Sequence, residues 1–492
     1  MICLSFVIIP LAAAFLISFV AGRKDTWGAV LSLSASAALL AFSIYAFFGM
    51  RGETIVYTMS AWKAPIGICL VLDSLSAFML LMISLVSLTS LVFSLRYIRQ
   101  SGSDWKYYAL FMLLVCGMNG VVITGDIFNL FVFMEIALFA AFALVAYGGR
   151  AHEFEASFKY AIMGSVSSSL ILLAIAFVYG GTSSLTMATI ARTLPAKDPV
   201  LLLWIGALFM AGFGLKAAAI PFHAWLPDAH SSAPAPISAM LSGVLIKALG
   251  IYTLIRIFYN VLGAPVLFTR IFLVLGTLSV ILGVILAIGQ WDIKRLLAYH
   301  SISQIGYILL GMGLNTTLGM AGAVFHLFNH AMFKSLLFYN AGSLEAALGT
   351  RDLRKMGNVR KLLPVTAHSS MIASLSISGI PPFNGFFSKL VIIVAAVQAG
   401  QSLVAFFAVL GSLLTLASFM KVQRYGLRGD RPAELISAAP VDTAMNTAMI
   451  ILAVLCLVSS LMIIPGIREL TLDPIVEIIM GKTTYVLNVL GK

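Results

Sequence analysis

The chain has 492 residues, 61% of them hydrophobic and only 10% charged, with a mean hydropathy of +1.03. Apolar runs of about 20 residues recur from end to end, which excludes an ordinary soluble domain. The net charge of +12 raises nucleic acid or anionic lipid as partners. The basic residues lie in loops between apolar runs, so membrane topology accounts for them and no nucleic acid is expected.

In chain order the predicted spans are roughly 2–20, 27–49, 71–95, 107–124, 127–148, 157–179 and a seventh from near 200. They continue as 236–258, 268–289, 295–314, 317–343, a broken twelfth over 364–399, 402–423 and 444–465, about 14 in all. The fold class is therefore an all-α polytopic membrane protein. The first run has no basic n-region, since Arg23 and Lys24 follow it, so it is expected to be a retained helix. The tail from Arg468 to Lys492 carries LDPIVEIIM and TYVLNVL and is expected to form an amphipathic surface helix. Cys3, Cys69, Cys116 and Cys456 are scattered with no CxxC spacing, so no iron–sulfur or zinc site is expected within the chain.

Loop charge sets an orientation. Loops after odd-numbered spans hold Arg23, Lys24, Arg96, Arg99, Lys106, Arg150, Lys294, Arg295, Arg351, Arg354, Lys355, Arg360, Lys361, Arg424, Arg428 and Arg431. Loops after even-numbered spans hold only Arg51, Lys63, Arg192 and Lys197, with Arg256 and Arg270 at their edges. The positive-inside rule then puts the odd-to-even loops in the cytoplasm and both termini outside.

Two spans read as broken. The seventh runs into AAAIPFHAWLPDAHSSAPAP, with Pro221 and Pro227; the twelfth contains SISGIPPFNGFFSK, with Gly379, Pro381, Pro382 and Gly385. Irregular backbone at membrane depth is tolerated only inside protein or beside a wet cavity, and paired breaks in two halves point to a transport site. The halves echo each other weakly: Asp126 answers Asp292, Lys159 answers Lys334, and Ile220-Pro221 answers Ile380-Pro381. A five-span repeat unit would put its two copies in opposite orientation. The expected divisions are 1–104, a first repeat over 105–262, a second over 263–425, and a last helix with tail over 426–492.

The candidate functional residues are ionisable groups inside these apolar runs, where a charge costs roughly 2.5–3.5 kcal/mol at the bilayer centre. Glu135 follows Asp126 by nine residues. On a helix that is about 13 Å deeper, near the midplane. It reads as a proton carrier or as a structural glutamate paired with a lysine. Lys216 precedes the first break and reads as Glu135's partner or as a snorkelling side chain. Lys247 lies well inside its span. His326, His330 and Lys334 fall at i, i+4 and i+8, one polar stripe that reads as a proton relay. Its HxxxH spacing also fits a metal site, but no third ligand stands nearby. Lys389 follows the second break and reads as a gate to one membrane face or as an interfacial anchor. His300 could extend the stripe. His223, Asp228 and His230 in the first broken segment cap helix ends or line an access cavity, and Lys159 sits near a membrane edge.

The stretches TGDIFNLFVFMEI, KAAAIPFHAWLPDAHSSAPAPISAMLSGVLIKALGIY, DIKRLLAYHSISQIGY, FHLFNHAMFKSLLF and SGIPPFNGFFSK span roughly residues 105–400. With these motifs the chain resembles the antiporter-like membrane subunits shared by respiratory complex I, Mrp-type Na+/H+ antiporters and membrane-bound hydrogenases. The resemblance implies two inverted five-helix repeats, broken helices seven and twelve, and a polar axis across the membrane. It makes Glu135 the fifth-helix glutamate, Lys216 its seventh-helix partner and Lys247 the connecting lysine of helix eight. It makes His326, His330 and Lys334 the eleventh-helix stripe and Lys389 the twelfth-helix lysine. It implies H+, and Na+ as a second ion, as cargo, and lipids and other membrane subunits of one complex as partners. Any redox centre would belong to those partners, and the setting would be a prokaryotic cell membrane. The chain stops about 27 residues past its last span, so the long lateral helix of complex I's distal subunit is not expected. The wording GDIFNLFVFMEI resembles the Mrp D-type and hydrogenase branches more than the quinone-reducing enzymes. The alternative is a membrane subunit that itself binds quinone.

Overall fold

A backbone crossing lipid must satisfy its own hydrogen bonds, and helices do so within one segment. The computed structural model describes residues 2–20, 26–50, 52–59, 62, 64–98, 104–194, 197–429 and 440–491. Arg23, Lys24, Arg51, Lys63, Arg99 and Arg431, which entered the loop-charge reading, lie outside the described residues. The order begins α1 (Ile2–Val20), α2 (Thr26–Gly49), strands β1 (Ile55–Thr58) and β2 (Cys69–Leu72), α3 (Ser74–Tyr97), α4 (Trp105–Ile123), α5 (Ile127–Val145) and α6 (Ala151–Thr182). The short α7 (Met187–Thr193) leads to α8 (Pro199–Ala217), α9 (Trp225–Ser232), α10 (Ala235–Val261), α11 (Val266–Ile288), α12 (Ile293–Gly313) and α13 (Thr317–Leu348). Then come α14 (Pro364–Ser378), α15 (Asn384–Gln398), α16 (Ser402–Arg428), α17 (Thr443–Ile463) and three short helices, α18 (Pro465–Thr471), α19 (Asp473–Met480) and α20 (Lys482–Leu490).

Among the described residues, 11 helices are long and apolar enough to cross a membrane: α1 to α6, α8, α10, α11, α16 and α17. The remaining expected spans are helical where the sequence predicts them, but length and apolarity do not establish them as crossings. α12 and α13 carry the polar residues His300, Gln304, His326, His330 and Lys334, and α14 and α15 are 15 residues each. The third and sixth spans differ from expectation at their ends. Residues 71 and 72 belong to β2, which pairs antiparallel with β1 in the register Ile55 to Leu72. α3 starts after them because Asp73 caps it, accepting from the Ser76 N–H at 2.9 Å. α6 runs eight turns or more, over 32 residues, and at its start the Glu153 carboxylate accepts from the Arg150 backbone N–H at 2.9 Å.

Ion pairs sort the helix ends into two rims. On one, Lys159 and Arg295 converge on Asp228, Arg351 holds Asp292 and Glu345, Lys294 holds Glu345, and Arg96 holds Asp442. Lys159 and Arg295 stand in the first turns of the sixth and tenth expected spans, and the others come from segments following the third, seventh, ninth, eleventh and thirteenth. On the other rim the buried Arg256, at the end of α10, grips Asp73 with two hydrogen bonds of 2.8 and 2.9 Å. The tail was expected as one amphipathic surface helix, and this is a correction. It forms α18 to α20, and α19 buries Ile475, Val476, Ile478 and Ile479 against the protein. Pro465 and Pro474 restart the helix and Gly481 interrupts it. Tyr485 then lies over the Arg256 guanidinium, 5.1 Å from ring centroid to Cζ, while Asn260 donates to the Ile478 carbonyl at 2.8 Å.

The internal echo is visible in hydrogen bonds. Asp126 caps α5 and bridges to Thr186 after α6; Asp292 caps α12 and bridges to Asp352 after α13. The supporting bonds match one for one: Ile127 N–H to Leu185 O with Ile293 N–H to Arg351 O, and Met187 N–H to Gly125 O with Leu353 N–H to Trp291 O. This register corrects two of the sequence pairings. Counting back 18 residues from each bridge aligns Lys334 with Ser168, not with Lys159. At the breaks, Ala218 and Gly379 take the same left-handed cap, with Ala219 N–H to Gly214 O matching Ile380 N–H to Leu375 O. Pro221 therefore matches Pro382 rather than Pro381.

Replacing Arg256 by Leu strands a buried carboxylate, which costs about 3–5 kcal/mol. The variant is expected to unfold at a markedly lower temperature in detergent, and Asp73→Leu in the same chain to restore most of the loss.

Candidate functional site

α13 is the centre of the molecule, packed by α3, α10, α12, α14, α15 and α17. From Gly319 to Leu344 every one of its side chains is buried. Lysines and histidines on this helix and its neighbours thus lie in the protein interior rather than against lipid. Lys247, Lys334, His300, His326 and His330 have no exposed surface, and Lys216 and Lys389 are 4% and 2% exposed. Snorkelling is ruled out for all four lysines.

What satisfies them is main chain. Lys216 donates to Gly164 O at 2.9 Å and Lys389 to Ile377 O at 2.7 Å; Lys247 donates to Ser242 O and Lys334 to Leu297 O. Among the described residues, no carboxylate forms an ion pair with any of the four. Local winding provides some of the acceptors. α10 is π-wound over Leu241–Leu245 and again over Lys247–Tyr252, and Lys247 at the junction reaches back to the Ser242 carbonyl. Ile377 lies in the last turn of α14, where carbonyls have no helical donor and the dipole favours a cation.

The expected Glu135–Lys216 pair is present in a different form. Ser168 of α6 donates to Glu135 Oε1 and accepts from Lys216 Nζ at 3.0 Å, so one hydroxyl stands between the charges. Beyond Lys216 the polar line stops. Leu138, Leu215, Trp225, Leu245, Ile246 and Leu249 line a small pocket of about 10 Å³ next to it, at the lower limit for a single water. On the far side Lys247 begins a second polar group. Ser242 Oγ meets Ser301 Oγ at 2.7 Å, and Ser301 shares the Leu297 carbonyl with Lys334. Toward α15, His330 and His326 lie with ring centroids 6.2 Å apart, His326 Nδ1 meets Ser388 Oγ at 2.9 Å, and Lys389 sits 4.4 Å over the Tyr307 ring. His300 meets Ser418 of α16 at 2.8 Å, one turn from Lys421, whose Nζ holds the Ile288 and Gln290 carbonyls.

The residues expected as accessory divide. His300 belongs to the buried group. Lys159 is half exposed and held by Glu155 at 2.7 Å and Asp228 at 3.1 Å, and Asp228 also takes Arg295. This pair clamps helix ends at the rim and stands apart from the buried lysines. His223 is partly exposed beside the first break. His230 is fully buried and packs its ring 5.3 Å from Phe338, one turn from Lys334 on α13. Neither ring nitrogen of His230 or His330 has a hydrogen-bond partner among the described residues, nor do His326 Nε2 and the Gln304 amide. No group of three His, Cys, Asp or Glu completes a metal site among the described residues. Sequence reading missed Ser168, Ser242, Ser388 and Tyr307, because a hydroxyl in an apolar run is usually spent on its own helix's carbonyl.

A family model described as NADH:quinone oxidoreductase/Mrp antiporter, transmembrane, matches residues 124–415, and the complex I chain 5 N-terminal model matches residues 59–111. The chain belongs to this family. It is 35% identical over 429 residues to the D-type subunit of the Na(+)/H(+) antiporter of Alkalihalophilus pseudofirmus, covering 86% of each chain. It is 36% identical over 444 residues to the N-type subunit of the NADH-quinone oxidoreductase of Desulforudis audaxviator, covering 87% of this chain and 88% of that one. A chain in the solved Mrp complex from Dietzia sp. superposes with a TM-score of 0.92 at 28% identity, over 100% of this chain and 99% of that one. The near-equal identities to the antiporter and oxidoreductase relatives do not separate the two branches. Family membership and the apolar helices make this a multi-pass membrane protein.

The second break depends on close backbone approach. A Cβ at Gly385 would lie 1.8 Å from the Ser376 carbonyl oxygen, whereas one at Gly466 would meet nothing within 4 Å. Gly385→Ala is expected to abolish correct assembly or transport by forcing α14 and α15 apart, and Gly466→Ala to leave both intact, as read by complex yield and ion flux.

Proposed function

We propose that this chain is the ion-translocating, antiporter-like subunit of a multisubunit membrane complex, moving H+ with Na+ as the candidate exchanged ion. The observation that carries the reading is the set of buried lysines without carboxylate partners. A protein that needed them only for packing would gain by replacing them with apolar residues. Groups that take up and release charge explain their presence.

Glu135, Ser168 and Lys216 form the input, and Lys247, His230, His300, His326, His330, Lys334 and Lys389 form the conducting group. The histidine nitrogens without protein partners give water a polar lining between the lysines. The apolar contact between Lys216 and Lys247 is the break in the line. Gly250 and Ala217 bring the two helices together there, since a Cβ on Gly250 would stand 2.5 Å from Ala217 Cα. Charge on one side acts on the other across this contact.

The matched hydrogen bonds at Asp126 and Asp292 support two repeats of five spans, and five alternating crossings invert the second copy. The divisions 105–262 and 263–425, all 14 crossings, and both termini on the outside of a prokaryotic cell membrane belong to this reading. The basic rim carrying Arg295, Arg351 and Arg354 would face the cytoplasm. Partner subunits would supply any redox centre, and lipid would cover α1, α11 and α16.

Glu135→Gln keeps the shape and removes the charge. In the reconstituted complex it is expected to abolish H+ or Na+ flux while the complex still assembles. Flux at the unaltered rate would refute the proposal.

A further inference from the structure

Ser168 is the residue on which the input unit turns, and nothing in the sequence motifs marks it. A serine hydroxyl has one proton to give and two lone pairs to receive. Here the directions are fixed by chemistry. The Lys216 ammonium can only donate, so Ser168 Oγ accepts at 3.0 Å and must spend its single proton on the Glu135 carboxylate. We propose that Ser168 is the hydroxyl bridge that holds Glu135 and Lys216 apart as a relayed pair and passes a proton between them. The inference deepens the ion-translocating function proposed above and rests on it.

The site is built for this contact. Ser168 is buried, and α6 presents Gly164 and Ser168 one turn apart, so Lys216 reaches a carbonyl and a hydroxyl together. The hydroxyl's neighbours leave Glu135 and Lys216 as the charged groups that face it. From α6 itself, Tyr160 stacks on Trp225 of α9 at 4.3 Å, and Lys159 is held at the rim. From α9, Asp228 is committed to Lys159 and Arg295; from α10, Lys247 is committed to Ser242. In the register set by the two bridges, Ser168 also occupies the place that Lys334 fills in the second half. The same position in the repeat carries a buried polar group in both copies.

The transfer balances without any other reactant. One Nζ–H bond of Lys216 breaks and its proton goes to Ser168 Oγ, while the Ser168 proton goes to Glu135 Oε1. An ammonium and a carboxylate become an amine and a carboxylic acid, and the hydroxyl is left pointing the other way. The charge facing Lys247 disappears with no side chain having to swing. A direct ion pair in the same place would have to separate first.

The α6–α8 packing does not depend on this hydroxyl. Ser167 Oγ independently donates to Gly212 O at 2.7 Å, and Gly212 lets Ile171 approach closely. Ser168→Ala is therefore a test of the bridge rather than of folding.

The experiment compares Ser168→Ala, Ser168→Thr, Ser167→Ala and Glu135→Gln in the intact complex, reconstituted in liposomes, with flux followed across pH. Ser168→Ala is expected to assemble normally, lose flux by about tenfold or more, as follows from losing a hydrogen bond to charged groups, and shift its pH profile. Ser168→Thr, which keeps the hydroxyl, is expected to retain most of the flux and the original profile, as is Ser167→Ala. Unchanged flux and profile in Ser168→Ala, with Glu135→Gln inactive, would overturn the bridge alone. Equal loss in the Ala and Thr variants would also overturn it. Normal flux in Glu135→Gln would overturn the underlying function.

Discussion

The structure depends on keeping four lysines in the protein interior with none of them in a direct ion pair. An isolated ammonium in low dielectric is costly, and the protein answers with backbone carbonyls rather than counter-charges. That choice explains several features at once. α10 changes its winding where Lys247 lies, and α14 stops, leaving free carbonyls, where Lys389 reaches in. α13 must be enclosed on every side for its stripe to stay out of lipid, which is why so many helices pack against it. A carbonyl holds an ammonium without fixing it there, because it can still accept, more weakly, from the neutral amine.

Where full charges do pair, they do structural work at the edges. Asp73–Arg256, capped by the tail, and the Asp228, Asp292 and Glu345 clusters tie helix ends into two rims. The separation of paired charges at the rims from unpaired ones in the interior is the main electrostatic division of the molecule. Glu135 is the exception, and Ser168 accounts for it by standing between the carboxylate and Lys216.

Much of this was legible in the sequence. Apolar runs and the two proline breaks located nearly every helix, because length and hydropathy dominate in lipid. The ionisable residues inside those runs were equally plain, and all seven proved buried or partly buried. What escaped has physical reasons. The β1–β2 hairpin is four residues a side and lies between spans, where hydropathy says little. π-winding leaves no composition signal. The Lys159–Lys334 echo looked convincing as letters, but only hydrogen bonds at Asp126 and Asp292 set the register, and they pair Lys334 with Ser168. His230 was noted as a cap or cavity lining, yet it is fully buried and packs on Phe338, because the first break brings the end of α9 against α13.

The central claim is that the buried lysines work by gaining and losing protons, not merely by being positive. Lys247→Arg decides this most directly, since a guanidinium keeps the charge and does not release it at any working pH. Ion flux through the reconstituted complex should collapse in Lys247→Arg as completely as in Lys247→Met, with assembly intact in both. Flux near the unaltered rate in the arginine variant would mean that a fixed positive charge suffices, and the account would be contradicted.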